Sequence, residues 1–80
     1  MPTIRFWAGA RALAGVAEYE ATEGPLPAVL ESLRETFGDQ MASLVRRSVL
    51  VVDGQRIDPA HDSYLEDGSV LEILPPYAGG

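Results

Sequence analysis

Cysteine and lysine are both missing from these 80 residues, and histidine occurs once. Without cysteine there is no thiol nucleophile, no thiolate metal site and no disulfide, which argues against a cross-linked secreted scaffold. The domain must stand on its core alone, which fits the cytoplasm. No apolar run approaches the ~18 residues of a membrane span, and Val49–Val52 reads as a buried strand. Met1-Pro2-Thr3-Ile4-Arg5 lacks a basic region followed by an apolar segment, a further argument against secretion. Positive charge is scarce as well: six arginines face twelve acidic residues, for a net charge of −6. Nucleic acid needs cationic groups on its phosphates, and anionic membranes attract polybasic segments, so neither is expected as a partner. A basic protein partner is favoured by steering and a complementary rim. With no lysine, the chain has no side-chain amine to receive an isopeptide bond, so it can donate its C-terminus but not accept another. Biased codon usage produces the same composition.

The usual internal sites are also missing. No Gly-rich phosphate loop, Ser/His/Asp grouping or HExxH motif is present. His61 lies between Asp58 and Asp62 in a Pro-containing loop. It reads as a metal ligand or general base, or as a solvated loop histidine; no motif places a second ligand, and no metal site is expected. The carboxylates are scattered as on a solvated acidic face, and Arg46-Arg47 is too short for a nucleic-acid patch. Nothing internal looks catalytic.

What is present is a small globular domain, with 46% hydrophobic and 22% charged residues. Such a chain buries only ~60–65% of its unfolded surface. Thr3–Ala8 reads as a strand, with Ile4, Phe6 and Ala8 on one face and Thr3, Arg5 and Trp7 on the other. Residues 9–15 read as a short loop with a helical turn, closed by Gly15, and Val16–Ala21 as a second strand of imperfect alternation. Leu26, Val29, Leu30, Leu33 and Phe37 repeat at three and four, predicting a helix over Leu26–Phe37 that Gly38 ends. Asp39–Arg47 suggests a short helix or a loop with Met41, Leu44 and Val45 inward. Ser48–Val52 is a central strand by its β-branched content. Asp53-Gly54 is a strong hairpin signal returning through Gln55-Arg56-Ile57, and Asp67-Gly68 marks a second turn. Val70–Leu74 closes the domain, with Leu71 and Ile73 opposite Val70, Glu72 and Leu74, and Pro75-Pro76 stops it. The expected class is α+β: a mixed sheet of four to five strands packed on one main helix. If the terminal strands pair in parallel at the centre, this is a β-grasp, ubiquitin-like fold. The domain spans 1–75, followed by a flexible tail over 76–80.

Two features remain as functional candidates. Trp7 projects away from Ile4 and Phe6, and Leu74 away from Leu71 and Ile73. On the uncovered face of a one-helix sheet they suggest a docking patch beside the tail, against the alternative of a ring folded over a loop edge. The second is the tail Pro75-Pro76-Tyr77-Ala78-Gly79-Gly80. Glycine has no Cβ, so Gly79-Gly80 can thread a channel too narrow for side chains, and the prolines stiffen the approach. A carboxylate resists attack until its oxygen becomes a leaving group. Adenylation of Gly80 by a partner enzyme, followed by sulfur transfer, would give a thiocarboxylate: a carried sulfur that needs no cysteine. Six residues from Pro75 reach ~20 Å at ~3.3–3.6 Å each, enough to enter a buried partner site.

Ile4-Arg5-Phe6-Trp7-Ala8, then Ala10-Arg11-Ala12-Leu13-Ala14-Gly15, Asp67-Gly68, and Leu74-Pro75-Pro76-Tyr77-Ala78-Gly79-Gly80 together carry a family likeness. Over its full length the chain resembles the small subunit of molybdopterin synthase, a ubiquitin-like sulfur carrier of the MoaD/ThiS type. The resemblance implies a β-grasp fold and a Gly80 thiocarboxylate formed through an acyl-adenylate on an E1-like activating enzyme that uses ATP. It implies sulfur delivery to cyclic pyranopterin monophosphate, building the molybdopterin dithiolene, with no cofactor bound by the carrier. It further implies a heterotetramer with the large subunit, whose pocket receives the tail and supplies the catalytic lysine. The contact residues would be Trp7, Leu74, Pro75, Pro76, Tyr77 and Ala78, with Gly79 and Gly80 as the reacting end. Arg56 stands where an apolar residue is expected, which implies a smaller patch. Related carriers serving thiamine thiazole synthesis, cysteine synthesis or tRNA thiolation share the fold and the ending. Pro75-Pro76 and the first-strand segment favour the molybdopterin branch. A ubiquitin-like protein modifier and a non-covalent β-grasp interaction module are the other classes of reading.

Overall fold

Strict alternation over Val70–Leu74 puts Leu71 and Ile73 on one side of a strand, and both are completely buried. This strand, β7 below, is the spine of the molecule. The computed structural model describes residues 1–60 and 62–76. In chain order the elements are β1 (Thr3–Phe6), α1 (Ala8–Ala14), β2 (Glu18–Glu20), β3 (Gly24–Pro25), α2 (Leu26–Phe37) and α3 (Asp39–Arg46). They continue with β4 (Val49–Val52), β5 (Gln55–Ile57), β6 (Tyr64–Leu65) and β7 (Val70–Leu74).

Five strands form one mixed sheet in the order β2-β1-β7-β4-β5. The central pair is parallel, with Thr3 beside Val70 and Phe6 beside Ile73. β4 runs antiparallel to β7 on its other side. The two ends of the chain therefore supply the middle of the sheet, and the fold is the β-grasp expected above.

The inner face carries Ile4, Phe6, Leu50, Leu71 and Ile73, and α2 covers it with Leu26, Val29 and Leu33. Each side chain of this size contributes about 1.5–3 kcal/mol on full burial. Phe6, Phe37 and Tyr19 stack edge to face at centroid distances of 5.4 and 5.3 Å, and the Tyr19 hydroxyl lies 3.2 Å from Thr36 Oγ1. That chain of rings ties β2 to α2.

Asp53 and Gly54 both have positive φ, 48° and 84°, as a type I′ hairpin turn requires. Asp53 Oδ1 accepts the Val70 N–H at 2.9 Å, and the Asp53 N–H donates to the Val70 carbonyl at 2.9 Å, so the turn is bonded to β7.

Three expectations are corrected. The first strand stops at Phe6, and Ala8 begins α1 rather than ending β1. Residues 9–15 are mostly helix, because four of the seven α1 residues are alanine, the best helix former, and Gly15 closes it in the left-handed conformation. The second strand is only Glu18–Glu20, which leaves Val16 exposed. Of the two readings of the segment after Gly38 the helical one holds: Asp39–Arg46 is a helix with Met41 and Val45 buried, so the main helix α2 is flanked by two shorter ones. A two-stranded sheet, β3 with β6, was not foreseen; it seats the fully buried Leu65 beside Gly24. No helix among the described residues is long and apolar enough to cross a membrane.

Candidate functional site

The outer face of the sheet is built by register. Side-by-side partners share a face, so one row reads Glu18, Arg5, Glu72, Val51, Arg56 across all five strands. On one side of it stand Glu20, Thr3 and Val70. On the tail side Leu74 faces Val49. Trp7 follows Phe6 by one residue and donates its backbone N–H to the Ile73 carbonyl at 3.2 Å, extending the β1–β7 ladder. Trp7 and Leu74 are thus neighbours in register on one face, as the alternation implied.

Backbone conformation holds Trp7 there. Trp7 is extended (φ −122°, ψ 152°) and serves as the N-cap of α1, while Ala8 takes φ 49°. A left-handed alanine costs about 1–2 kcal/mol. That cost turns the chain abruptly from strand to helix and leaves the Trp7 ring on the outer face, 43% exposed. The indole N–H then donates to Glu72 Oε2 at 3.0 Å. Arg5 reinforces the same carboxylate from 3.9 Å and bonds Glu18 Oε2 through Nε at 3.0 Å. The expected apolar patch is therefore a mixed surface: Trp7, Leu74, Val49, Val51 and Val70 around an ionic row. Arg56, opposite Val51, trims it as anticipated.

Glu72 and Arg5 were not singled out as site residues from the sequence. The signal was present, in a lone carboxylate at the outward position between Val70 and Leu74, and in an indole N–H that needs an acceptor.

Leu74 and Pro75 are half-buried and Pro76 is exposed, so the chain leaves the sheet from its central strand next to Trp7. Tyr77, Ala78, Gly79 and Gly80 lie outside the described residues, as does His61. Among the described residues no group of three or more acidic or histidine side chains is placed to hold a metal ion. The resolved perturbations of ionisation are remote from this face. Glu31 on α2 is held below the usual carboxylate range by its hydrogen bond from Arg34, and Arg34 is raised in return by Glu31 and then Asp39. Both side chains are about half exposed, so the pair adds little to stability.

Residues 4–80 match the ThiS family. The chain belongs to the ThiS family. No curated protein matches it in sequence. Among solved structures, this ThiS-family chain is similar to small archaeal modifier protein 1 from Methanosarcina acetivorans, with a TM-score of 0.82 at 20% identity over 99% of this chain and 95% of that one. It is similar to the molybdopterin-converting factor of Helicobacter pylori, solved as a complex of subunits 1 and 2, with a TM-score of 0.73 at 20% identity over 99% and 97%. Small archaeal modifier protein 1 from Haloferax volcanii gives 0.71 at 15% identity over 99% and 98%. At these identities the likenesses establish a common ubiquitin-like fold.

Proposed function

We propose that this chain is a sulfur carrier, the small subunit of a molybdopterin synthase. Gly80 is adenylated by an E1-like partner that consumes ATP, and sulfur replaces the adenylate to give a thiocarboxylate. The sulfur passes to cyclic pyranopterin monophosphate, with the tail held in the pocket of a large subunit that supplies the reaction's lysine. The observation that carries this reading is the family match, which runs through Gly79-Gly80. The likeness to a factor solved as a two-subunit complex supports a large-subunit partner. The domain contributes position rather than chemistry. Trp7 and Leu74 give the partner an outer face to grip, and Pro75-Pro76 directs the last residues away from it. Gly79 lets the backbone through, and Gly80 bears the sulfur.

A second reading, a ubiquitin-like modifier, is favoured by the likeness to two small archaeal modifier proteins. It shares the adenylate and differs only in the nucleophile that captures it. Co-expression with an activating enzyme and a sulfur donor separates the two by intact mass spectrometry. A carrier gains the mass of one oxygen-to-sulfur exchange at Gly80, whereas a modifier appears in lysine-linked adducts of other proteins. Deleting Gly80 abolishes either product while the far-ultraviolet circular dichroism stays native. Sulfur delivery that survives this deletion would remove Gly80 from the mechanism.

A further inference from the structure

An activated Gly80, whether adenylate or thioester, reacts with any amine or thiol that reaches it, including one on its own domain. The inference that follows rests on the activation argued above. From Pro76, four residues extend ~14 Å, and a lysine side chain would add roughly 6 Å. With Pro75-Pro76 extended, Pro76 lies ~7 Å beyond Leu74. Position 5 is beside Glu72 in the next strand, and position 56 is two strands away in the same row. At ~3.3 Å per residue and ~4.8 Å per strand, their backbones lie about 14 and 17 Å from Pro76. Both fall within the ~20 Å that the tail and a lysine arm would span together, and both carry arginine.

The Met1 amine is placed differently. It pairs with the Asp67 carboxylate at the end of the sheet where β7 begins, since Thr3 lies beside Val70. That is about 26 Å from Pro76 along the strand direction, beyond the tail's reach.

We propose that this arrangement protects the activated chain from itself. Among the described residues, the face beside the tail has its positive charge only as guanidinium, which stays protonated and is not a nucleophile. The Gly80 acyl group therefore survives contact with its own domain and is transferred to a partner. A lysine at position 5 or 56 reverses this. Its deprotonated Nζ attacks the Gly80 carbonyl carbon, and a C–N amide bond forms. The C–S bond of a thioester, or the C–O bond to AMP, breaks; the thiolate or AMP departs, and the surplus amine proton passes to buffer.

The test uses the full chain carrying a chemically prepared Gly80 alkyl thioester, with no activating enzyme, incubated at pH 8 and followed by intact mass. The wild-type thioester and Glu66→Lys, whose substitution lies at the far end of the sheet, give the hydrolysed acid. Arg5→Lys and Arg56→Lys give an internal amide, lighter than the acid by one water and mapped by peptide mass to the substituted position. A tether this short holds the amine at an effective concentration of order mM, so the amide exceeds any wild-type amide at least about tenfold. An internal amide of comparable yield in the wild type overturns the inference, as does its absence from both lysine variants. Failure of sulfur transfer in the co-expression experiment would remove the carrier reading and leave this result untouched.

Discussion

Removing the Trp7–Glu72 hydrogen bond should cost more than removing the Arg5–Glu18 ion pair on the same face. The two contacts have the same length, 3.0 Å. They differ in shielding and in what else they hold. Arg5 and Glu18 have side chains 40% and 52% exposed, so water screens their attraction and a coupling of at most about 0.5 kcal/mol is expected. The Glu72 side chain is only 25% exposed and accepts from an indole fixed at the start of a helix. A shielded hydrogen bond to a charged acceptor contributes about 1.5–3 kcal/mol; with Trp7 partly open to solvent, about 1 kcal/mol remains. Double-mutant cycles isolate these terms: Trp7→Phe with Glu72→Ala for one, Arg5→Ala with Glu18→Ala for the other. Urea unfolding followed by far-ultraviolet circular dichroism suits both, because one cycle deletes the single tryptophan. Trp7–Glu72 coupling below about 0.3 kcal/mol, or no larger than that of Arg5–Glu18, would refute the view that Glu72 anchors the ring. In that outcome Trp7 is free to turn on the surface, and any partner that grips it must order it first.

Two further outcomes follow from β7. Ile73→Ala empties a fully buried position at the centre of the sheet and should cost about 2–5 kcal/mol. A domain of this size holds only about 4–12 kcal/mol, so a fall in Tm of at least about 10 °C is expected in a thermal melt. Asp53→Asn keeps both the left-handed propensity and an acceptor for the Val70 N–H, and should be nearly neutral. Asp53→Ala loses both and should cost about 1–2 kcal/mol by urea unfolding; equal midpoints for the two variants would remove the turn from the forces that hold β4 on β7.

The elements legible in the sequence are those with a local code. The three-and-four spacing of Leu26, Val29, Leu33 and Phe37 sets the helix to the residue, and Asp53-Gly54 sets the hairpin with its register. The face assignments of Ile4, Phe6, Leu71 and Ile73 hold because each strand alternates without a break. α1 was legible only in part. Gly9 and Gly15 are loop signals, but the four alanines from Ala8 to Ala14 carry enough helical propensity to prevail over them. β3 and β6 have two residues each, too short for any period, and exist because tertiary packing brings Gly24 beside Leu65. The parallel pairing of β1 with β7 joins residues almost seventy apart in sequence, which periodicity cannot encode. At the site, alternation showed that Trp7 and Glu72 share a face, but not that one bonds the other. That bond depends on the left-handed Ala8, for which the sequence offers no glycine as a sign.

The placement of the tail on β7 has a mechanical consequence. A partner that grips the outer face and draws in the last residues pulls on the strand they continue. An edge strand such as β2 or β5 is bonded on one side and is three residues long, so a pull along it would peel it away. β7 is bonded on both sides, anchored by Leu71 and Ile73, and tied at its start to the Asp53 turn. Moving it means breaking two ladders and exposing the core together, which for a cooperative domain is global unfolding. The tail therefore continues a strand that is held from both sides. Trp7 is one strand away, held by a hydrogen bond to a residue of β7 itself. Under the proposed function, a ring gripped by a partner and a chain threaded into it would both be attached to β7, so docking the first would fix the origin of the second. From that origin, the length of the Pro75–Gly80 segment sets how deep Gly80 reaches.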